Sequence, residues 1–229
     1  NKKKNKPALI LKTSSATFSI LDRNRMLEKI DGIKKEFGDS CPSIYLLHGD
    51  LTDEEMNGLY NHPKVKAHIS FTKGEGFGRP LLEASVSGKP VIASAWSGQV
   101  DFLHKEMSTL LPGELKPVHK SAQWKGVIND GSHWFYVNYQ IAEKIIRDVY
   151  KSYKDYIGGA RKQAYHSRTN FSMERMTEVF TNIIDKYVKE PPEEVKLNLP
   201  KLLDNIELKK LKKVDNKKSV VGLPQLKKV

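Results

Sequence analysis

Cysteine is almost absent from this chain of 229 residues, which contains only Cys41. A single cysteine excludes an internal disulfide framework and a cysteine-based zinc site, and it fits a reducing compartment. The seven histidines include no helical pair beside an acidic residue, so we predict no metal site. No apolar run approaches the length of about 20 residues that a membrane-spanning helix needs. We therefore expect a protein without a membrane span, in the cytoplasm or in an assembly within a reducing compartment.

Positive charge is in excess, but it is concentrated at the two ends of the chain. The net charge is +12, and four lysines in residues 1–6 with ten lysines against five acids in residues 191–229 carry nine of these charges. This distribution argues against a nucleic-acid-binding face on the body of the protein. We predict a basic N-terminal segment at residues 1–6, a domain at residues 7–190 and an extended Lys/Leu/Pro tail at residues 191–229.

Three glycines at alternate positions, Gly74, Gly76 and Gly78, follow an apolar run at residues 67–71 that alternates like a strand. Pro80 then opens a helical pattern. The segment predicts a strand, a glycine loop and a helix start. Glycines permit positive φ angles and a close approach of a ligand to the backbone amides. The helix N-terminus behind the loop would favour an anion or a group of sugar hydroxyls.

Two carboxylates flank this helix start. Glu75 lies in the loop, and Glu83 lies about one turn into the helix. A carboxylate has two acceptor oxygens and can hold a vicinal diol. A lone glycine loop is weak evidence, however. The same residues also fit a simple strand-to-helix turn, in which Glu75 is a solvated charge and Glu83 stabilises the first helical turn.

The surrounding pattern alternates strands with helices, which indicates parallel strands in a doubly wound α/β sheet. Strands are predicted at residues 7–12, 43–47, 67–71 and 90–94, and the first of them is expected to be buried. Asp22 is predicted to cap the first helix, and Thr52 with Glu55 to form a capping box for the second. Residues 112–134 lack a periodic pattern and predict a long aromatic-rich loop. Helical spacing resumes at residues 139–153, 156–167 and 171–187.

This chain closely resembles the C-terminal, donor-binding half of GT-B glycosyltransferases, and within them the retaining group called family 4. The resemblance rests on residues 75–84, with seven residues between the two glutamates, on residues 88–93 and on residues 96–98. It covers about residues 7–188 and is strongest at residues 45–103. It implies a Rossmann-like domain that binds a nucleotide-diphosphate sugar as donor substrate, with no metal and no other cofactor.

The same resemblance implies site residues. The matching positions are Glu75, Gly76, Phe77, Gly78, Glu83, Ser97 and Gly98. In the family, the first glutamate and the backbone of the glycine loop meet the donor sugar, and the second glutamate holds the nucleotide ribose. The last loop lies near the donor phosphates and sugar. Glu75 is therefore expected at the catalytic position, and the other residues are expected to bind substrate.

Two cations of the family are not found. Family members neutralise the diphosphate with an arginine after the first strand of this domain and a lysine on the next helix. Residues 7–12 resemble the second strand, so we expect both cations upstream of Asn1. The acceptor-binding domain is expected in a missing N-terminal domain or in a partner chain. Lys12, Lys73 or Arg79 could substitute, although each is more simply a surface charge.

Three functions stay open from the sequence. The first is the donor-binding half of a retaining hexosyltransferase that missing sequence or another chain completes. The second is a nucleotide-sugar-binding module without turnover. The third is a structural protein that keeps the glycosyltransferase fold and docks into an assembly through its basic ends.

The tail repeats two short patterns. Leu-Pro-x-Leu begins at Leu199 and Leu223, and Leu-Lys-Lys-Val begins at Leu211 and Leu226. Such apolar and basic repeats cannot build a core. The tail is expected either to be a solvated disordered segment or to dock as a strand or linear motif on a protein partner.

Overall fold

The computed structural model describes residues 7–13 and 18–188. The predicted basic N-terminal segment and the predicted tail lie outside this range. The chain divides into two compact units, the first ending at Ile183 and the second beginning at Ile184. The domain end at residue 190 stays a prediction.

Five short strands form two parallel sheets. They are β1 (Ala8–Lys12), β2 (Ser43–Leu47), β3 (His68–Ser70), β4 (Val91–Ser94) and β5 (Thr109–Leu111). β1 pairs with β2, with Ala8 opposite Ser43. In the second sheet, β4 lies between β3 and β5 and is parallel to both. The predicted α/β class with parallel strands is confirmed. The hydrogen bonds between the strands form two separate parallel sheets rather than one.

The described residues also form six α-helices. They are α1 (Ile20–Phe37), α2 (Asp53–Asn61), α3 (Arg79–Val86), α4 (Tyr139–Lys151), α5 (Tyr153–Asn170) and α6 (Met173–Tyr187). α2 follows β2 and α3 follows β3, as parallel crossovers require. None of the described helices combines the length and the apolar character that are needed to cross a membrane.

Local side-chain chemistry explains where the first helices begin. Thr52 and Glu55 form the predicted capping box, in which the Glu55 amide donates to Thr52 Oγ1 and the Thr52 amide donates to Glu55 Oε2. The prediction that Asp22 caps α1 was wrong. Ser19 is the cap, and its hydroxyl accepts a hydrogen bond from the Asp22 amide at 3.2 Å. Asp22 lies in the first helical turn, where a carboxylate favours the helix dipole.

An antiparallel hairpin occupies much of the region predicted as a loop. β6 (Gly113–Pro117) pairs with β7 (His133–Val137), with Gly113 opposite Val137. The prediction of an irregular loop at residues 112–134 was therefore wrong for both strands. β6 is exposed along its whole length, so its sequence lacks the alternation of apolar and polar residues that predicts a half-buried strand.

β4 lies at the centre of the core, and all four of its residues are buried. Val91 and Ala93 belong to one apolar cluster with Leu81 of α3, while Ile92 belongs to a second cluster with Val149 of α4. Successive side chains of a strand point to opposite faces of its sheet, so β4 is covered by helices on both sides. This packing provides a rigid base for the loops that follow β3 and β4.

A buried glutamine connects α5 to the chain beyond β4. Gln163 Nε2 donates to the carbonyl oxygen of Phe102 at 2.7 Å, and its Oε1 accepts from the His104 amide at 3.1 Å. Nearby, Nε2 of His104 lies 3.0 Å from Nε2 of His166. A buried polar group without a hydrogen-bond partner raises the free energy of the folded state. This network therefore favours the single position of α5 in which these groups are paired.

Stability is expected to fall as the pH is lowered from about 7 to about 5. Burial lowers the pKa of His68, and burial together with the neighbouring His104 lowers the pKa of His166. The unfolded chain then binds more protons below about pH 6.5, so acid favours unfolding. Urea unfolding across this range measures the effect. The double variant His68→Gln with His166→Gln should lose stability less steeply, and an unchanged pH dependence would contradict the assignment.

Candidate functional site

Two loops lie side by side at the carboxyl ends of β3 and β4. We call residues 74–78 the glycine loop and residues 95–98 the second loop. The Ser97 hydroxyl donates to the Glu75 carbonyl oxygen at 2.6 Å and accepts from the Glu75 amide at 3.0 Å. The Gly98 amide also donates to the Glu75 carbonyl, at 3.1 Å. The two predicted site segments are therefore in direct contact, at the sheet edge where open α/β sheets bind ligands.

The loops approach so closely that only glycine fits at position 98. A Cβ atom there would lie 2.2 Å from the Gly76 carbonyl oxygen and 2.7 Å from Phe77 Cα. Both neighbours are backbone atoms, which cannot move aside as the end of a side chain can. The absence of a side chain at Gly98 thus sets the spacing of the two loops.

Ser97 has a strained backbone. Its φ of 77° and ψ of −165° lie in a region that is populated almost only by glycine. Such strain costs about 1–3 kcal/mol and persists where surrounding contacts impose it. Here several contacts between the two loops impose it, namely the hydrogen bonds of the Ser97 hydroxyl and of the Gly98 amide to Glu75 and the close approach of Gly98 to the Gly76 backbone. The side chain that connects the loops is therefore held in place at an energetic cost.

Ser97→Ala is expected to be less stable than Ser97→Gly by about 1–3 kcal/mol. Both changes remove the hydroxyl and its hydrogen bonds to Glu75, but only glycine relieves the strained φ and ψ. Urea unfolding of the two variants measures the difference directly. Equal stability of the alanine and glycine variants would show that Ser97 stores no strain.

Only Gly78 of the three loop glycines has a positive φ, of 89°. Gly78 precedes α3 and forms its N-cap. The conformational freedom of glycine is therefore used for a positive φ at Gly78 and not at Gly74 or Gly76. Within the described part of the chain, the amides of Gly76, Phe77 and Gly78 donate no hydrogen bond. These donors, with the start of α3 behind them, form a group of unsatisfied N–H dipoles.

The two glutamates differ in their surroundings. Glu75 is half-buried, and its backbone groups bond to the second loop. The Glu83 side chain is 35% exposed, and its Oε1 lies 2.5 Å from Arg79 Nε. The hydrogen bond from Arg79 to Glu83 raises the pKa of the guanidinium, and the charge of Asp53 adds to this effect. Glu83 is therefore already paired with a cation from its own helix.

The other two cations considered for the diphosphate also have contacts. The Lys12 ammonium donates to the Gly49 carbonyl oxygen at 2.7 Å. The Lys73 ammonium lies 4.2 Å from the Trp134 ring centroid and 4.9 Å from that of Tyr136. Lys73 also accepts a hydrogen bond at its carbonyl from the Phe135 amide, at 3.0 Å. The β7 strand is thus joined to the chain immediately before the glycine loop.

An aromatic pair beside the loops was not predicted as part of the site. The Trp96 and Phe135 rings are nearly parallel, with 10° between their planes and 6.1 Å between their centroids. The sequence contained a signal, because the aromatic run at residues 134–136 is unusual for a linker. Their contact across 39 positions of sequence could not be predicted from the local pattern.

Two open depressions lie along α5, and none of the predicted site residues lines either of them. One, of about 410 Å³, is lined by Gly88, Arg161 and Arg168 among others, and the other, of about 490 Å³, by Met107 and His166 among others. Gly88 follows the C-terminal end of α3, whereas the glycine loop precedes its N-terminal end. Neither depression is part of the candidate site. In residues 7–13 and 18–188, no three His, Cys, Asp or Glu side chains are grouped to hold a metal ion.

Comparison with known proteins supports the fold. No protein-family profile and no curated protein matches the chain. Among solved structures, HepE of Anabaena in complex with UDP-glucose matches with a TM-score of 0.51 and 15% identity, over 78% of this chain and 40% of HepE. A glycosyltransferase from Rickettsia africae matches with a TM-score of 0.50 and 16% identity, over 82% of this chain and 49% of that protein.

This chain thus spans less than half the length of each of these two proteins. The matches extend over about four-fifths of this chain. The described residues therefore have the Rossmann-like α/β fold found in the halves of GT-B-type glycosyltransferases.

Proposed function

We propose that this chain is the donor-binding half of a retaining glycosyltransferase that transfers a hexose from a nucleotide-diphosphate sugar. The observation that carries the proposal is a group of three amides, at Gly76, Phe77 and Gly78, that donate no hydrogen bond to any described residue. They lie at the N-terminus of α3, between Glu75 and Glu83. Amide donors stabilise the negative charge of a diphosphate, and carboxylates accept hydrogen bonds from sugar hydroxyls. HepE, which has a similar fold, was solved in complex with UDP-glucose.

Each site residue then has a role. Glu75 meets the donor sugar at the catalytic position, together with the amides of the glycine loop. Glu83 accepts hydrogen bonds from the ribose hydroxyls, for which it must exchange part of its contact with Arg79. Ser97 and Gly98 hold the second loop against the first, and this loop lies near the donor phosphates. Retention at the anomeric carbon is part of the proposal.

The acceptor site belongs, in this proposal, to a missing N-terminal domain or to a partner chain. Several large apolar side chains of the described residues are exposed where a parallel-sheet domain normally buries them. Examples are Leu9 and Ile10 on β1 and Phe37 at the end of α1. A further domain or chain that covers these residues would complete both the fold and the active-site cleft.

The main alternative is a catalytically incomplete, glycosyltransferase-like structural protein that docks into an assembly through its ends. The contacts of the candidate cations favour it. Arg79 is paired with Glu83 and Asp53, Lys73 lies over two aromatic rings, and Lys12 bonds to a carbonyl. A site whose cations are occupied in this way binds a diphosphate more weakly than a site with free cations.

Calorimetric titration with UDP-glucose, GDP-mannose and ADP-glucose separates the two functions. The donor-binding function predicts measurable affinity for at least one of them. Because helix N-terminal amides can stabilise the diphosphate and no metal is required by the proposal, a chelator should leave the affinity unchanged. Loss of binding in chelator that magnesium or manganese restores would overturn the metal-free proposal. No binding to any of the three would favour the structural protein.

A further inference from the structure

Trp96 exposes a large aromatic surface beside the candidate catalytic loop. Its side chain is 43% exposed, although one face of its indole stacks on Phe135, which is only 6% exposed. The stacked partner is fixed in turn, because the Phe135 amide donates to the Lys73 carbonyl one residue before the glycine loop. The indole therefore packs against a buried ring, and the part of Trp96 that does not contact Phe135 is open to solvent.

The position of Trp96 relative to Glu75 is set by hydrogen bonds. Trp96 directly precedes Ser97, whose hydroxyl bonds to both the amide and the carbonyl of Glu75. The strained backbone of Ser97 fixes the direction in which the chain leaves Trp96. A rigid aromatic surface and a carboxylate that accepts hydrogen bonds thus lie on two loops that are tied together.

A pyranose ring fits this combination of groups. One face of a pyranose presents C–H groups that can pack on an aromatic ring, while its edge carries several hydroxyl donors. The indole provides apolar contact area at little entropic cost, and Glu75 provides acceptors. A nucleobase would also stack on an indole, but it offers few donors to a carboxylate. We infer that Trp96, supported by Phe135, is a stacking surface for a sugar ring bound at Glu75.

The ring has two sources, the hexose of the donor or a sugar unit of the acceptor glycan. The donor source rests on the proposed function, whereas the acceptor source needs only the sugar-stacking surface. Comparing ligands that share or lack the sugar distinguishes them. The probes are the nucleotide sugar with the highest affinity in the panel above, its nucleoside diphosphate alone, and maltotriose as a glycan without nucleotide.

Three variants test the inference by calorimetry. Trp96→Ala removes the surface, and Trp96→Phe retains an aromatic ring. Trp124→Ala is the matched control, because Trp124 is another exposed tryptophan, between β6 and β7. Trp96→Ala should lower the affinity for the nucleotide sugar or for maltotriose by roughly three- to tenfold. The nucleoside diphosphate should bind the variant as it binds the wild type, and Trp96→Phe should recover most of the affinity.

The probe whose affinity falls in Trp96→Ala identifies the source of the sugar. A change confined to the nucleotide sugar indicates the donor, and a change for maltotriose indicates the acceptor. An equal loss for the nucleoside diphosphate would overturn the inference in favour of base stacking or general misfolding, and so would an equal loss in Trp124→Ala. If no nucleotide binds the wild-type protein, the proposed function fails, and the inference then depends on maltotriose alone. Two other results would overturn the inference: affinities that are the same in Trp96→Ala and in the wild type, and no binding of any probe to the wild-type protein.

Discussion

Gly98→Ala is expected to abolish measurable nucleotide-sugar binding and to destabilise the chain by about 1–3 kcal/mol or more. The added Cβ would lie 2.2 Å from the Gly76 carbonyl oxygen, so the two loops must separate. A displacement of about 1 Å can reduce activity a hundredfold when groups must be positioned together. Calorimetry and urea unfolding measure the two effects.

Gly74→Ala is the matched control for this change. Gly74 belongs to the same glycine loop, but a Cβ there meets no other atom within 4 Å, and its φ is not positive. The control should keep both wild-type stability and wild-type binding. If Gly98→Ala behaves like this control, the contact between the loops does not organise the site.

Glu83→Ala is expected to weaken nucleotide-sugar binding by roughly ten- to a hundredfold. A charge-assisted hydrogen bond contributes about 1.5–3 kcal/mol, which corresponds to this change in affinity. The existing ion pair with Arg79 reduces this loss of affinity only slightly, because a solvent-exposed ion pair is weak. Calorimetric titration of wild type and variant gives the ratio of affinities.

Glu143→Ala provides the control, because Glu143 also forms an i, i+4 pair with an arginine, Arg147, at 2.6 Å on α4. Both substitutions break an exposed pair on a helix, and only Glu83 is proposed to contact the ribose. Equal affinity in wild type and Glu83→Ala would contradict the ribose contact. Arg79→Ala tests the role of Arg79. The affinity for the nucleotide sugar should be preserved or rise if Arg79 only competes with the ribose for Glu83, and it should fall if Arg79 binds the diphosphate.

Local patterns predicted much of the fold because the determinants lie within a few residues. The capping box of Thr52 and Glu55 needs only a spacing of three, and β2 was predicted with the bounds that it has. Parallel order followed from the alternation of strands and helices. Asp22 was mistaken for the α1 cap because it and Ser19 are both favourable caps three positions apart, and sequence alone does not distinguish them.

Other features depend on contacts between distant residues. The Ser97 hydroxyl reaches Glu75 across 22 positions, and the contacts between the two loops impose the strained φ of Ser97. The β6–β7 hairpin was missed because the exposed β6 strand has no apolar pattern. The site residues could be named from the motif, but the pairing of Glu83 with Arg79 and the stack of Trp96 on Phe135 required the fold.

Two-dimensional amide NMR during titration with a nucleotide sugar tests the central proposal most directly, because it reports where the ligand binds. We predict that the largest shifts occur at the amides of the glycine loop and the second loop, above all Gly76, Phe77 and Gly78, whose N–H groups are unbonded within the described residues. The proposal would be contradicted if the resonances of these amides did not shift at a saturating concentration of nucleotide sugar. It would also be contradicted if the largest shifts occurred at residues that line the α5 depressions.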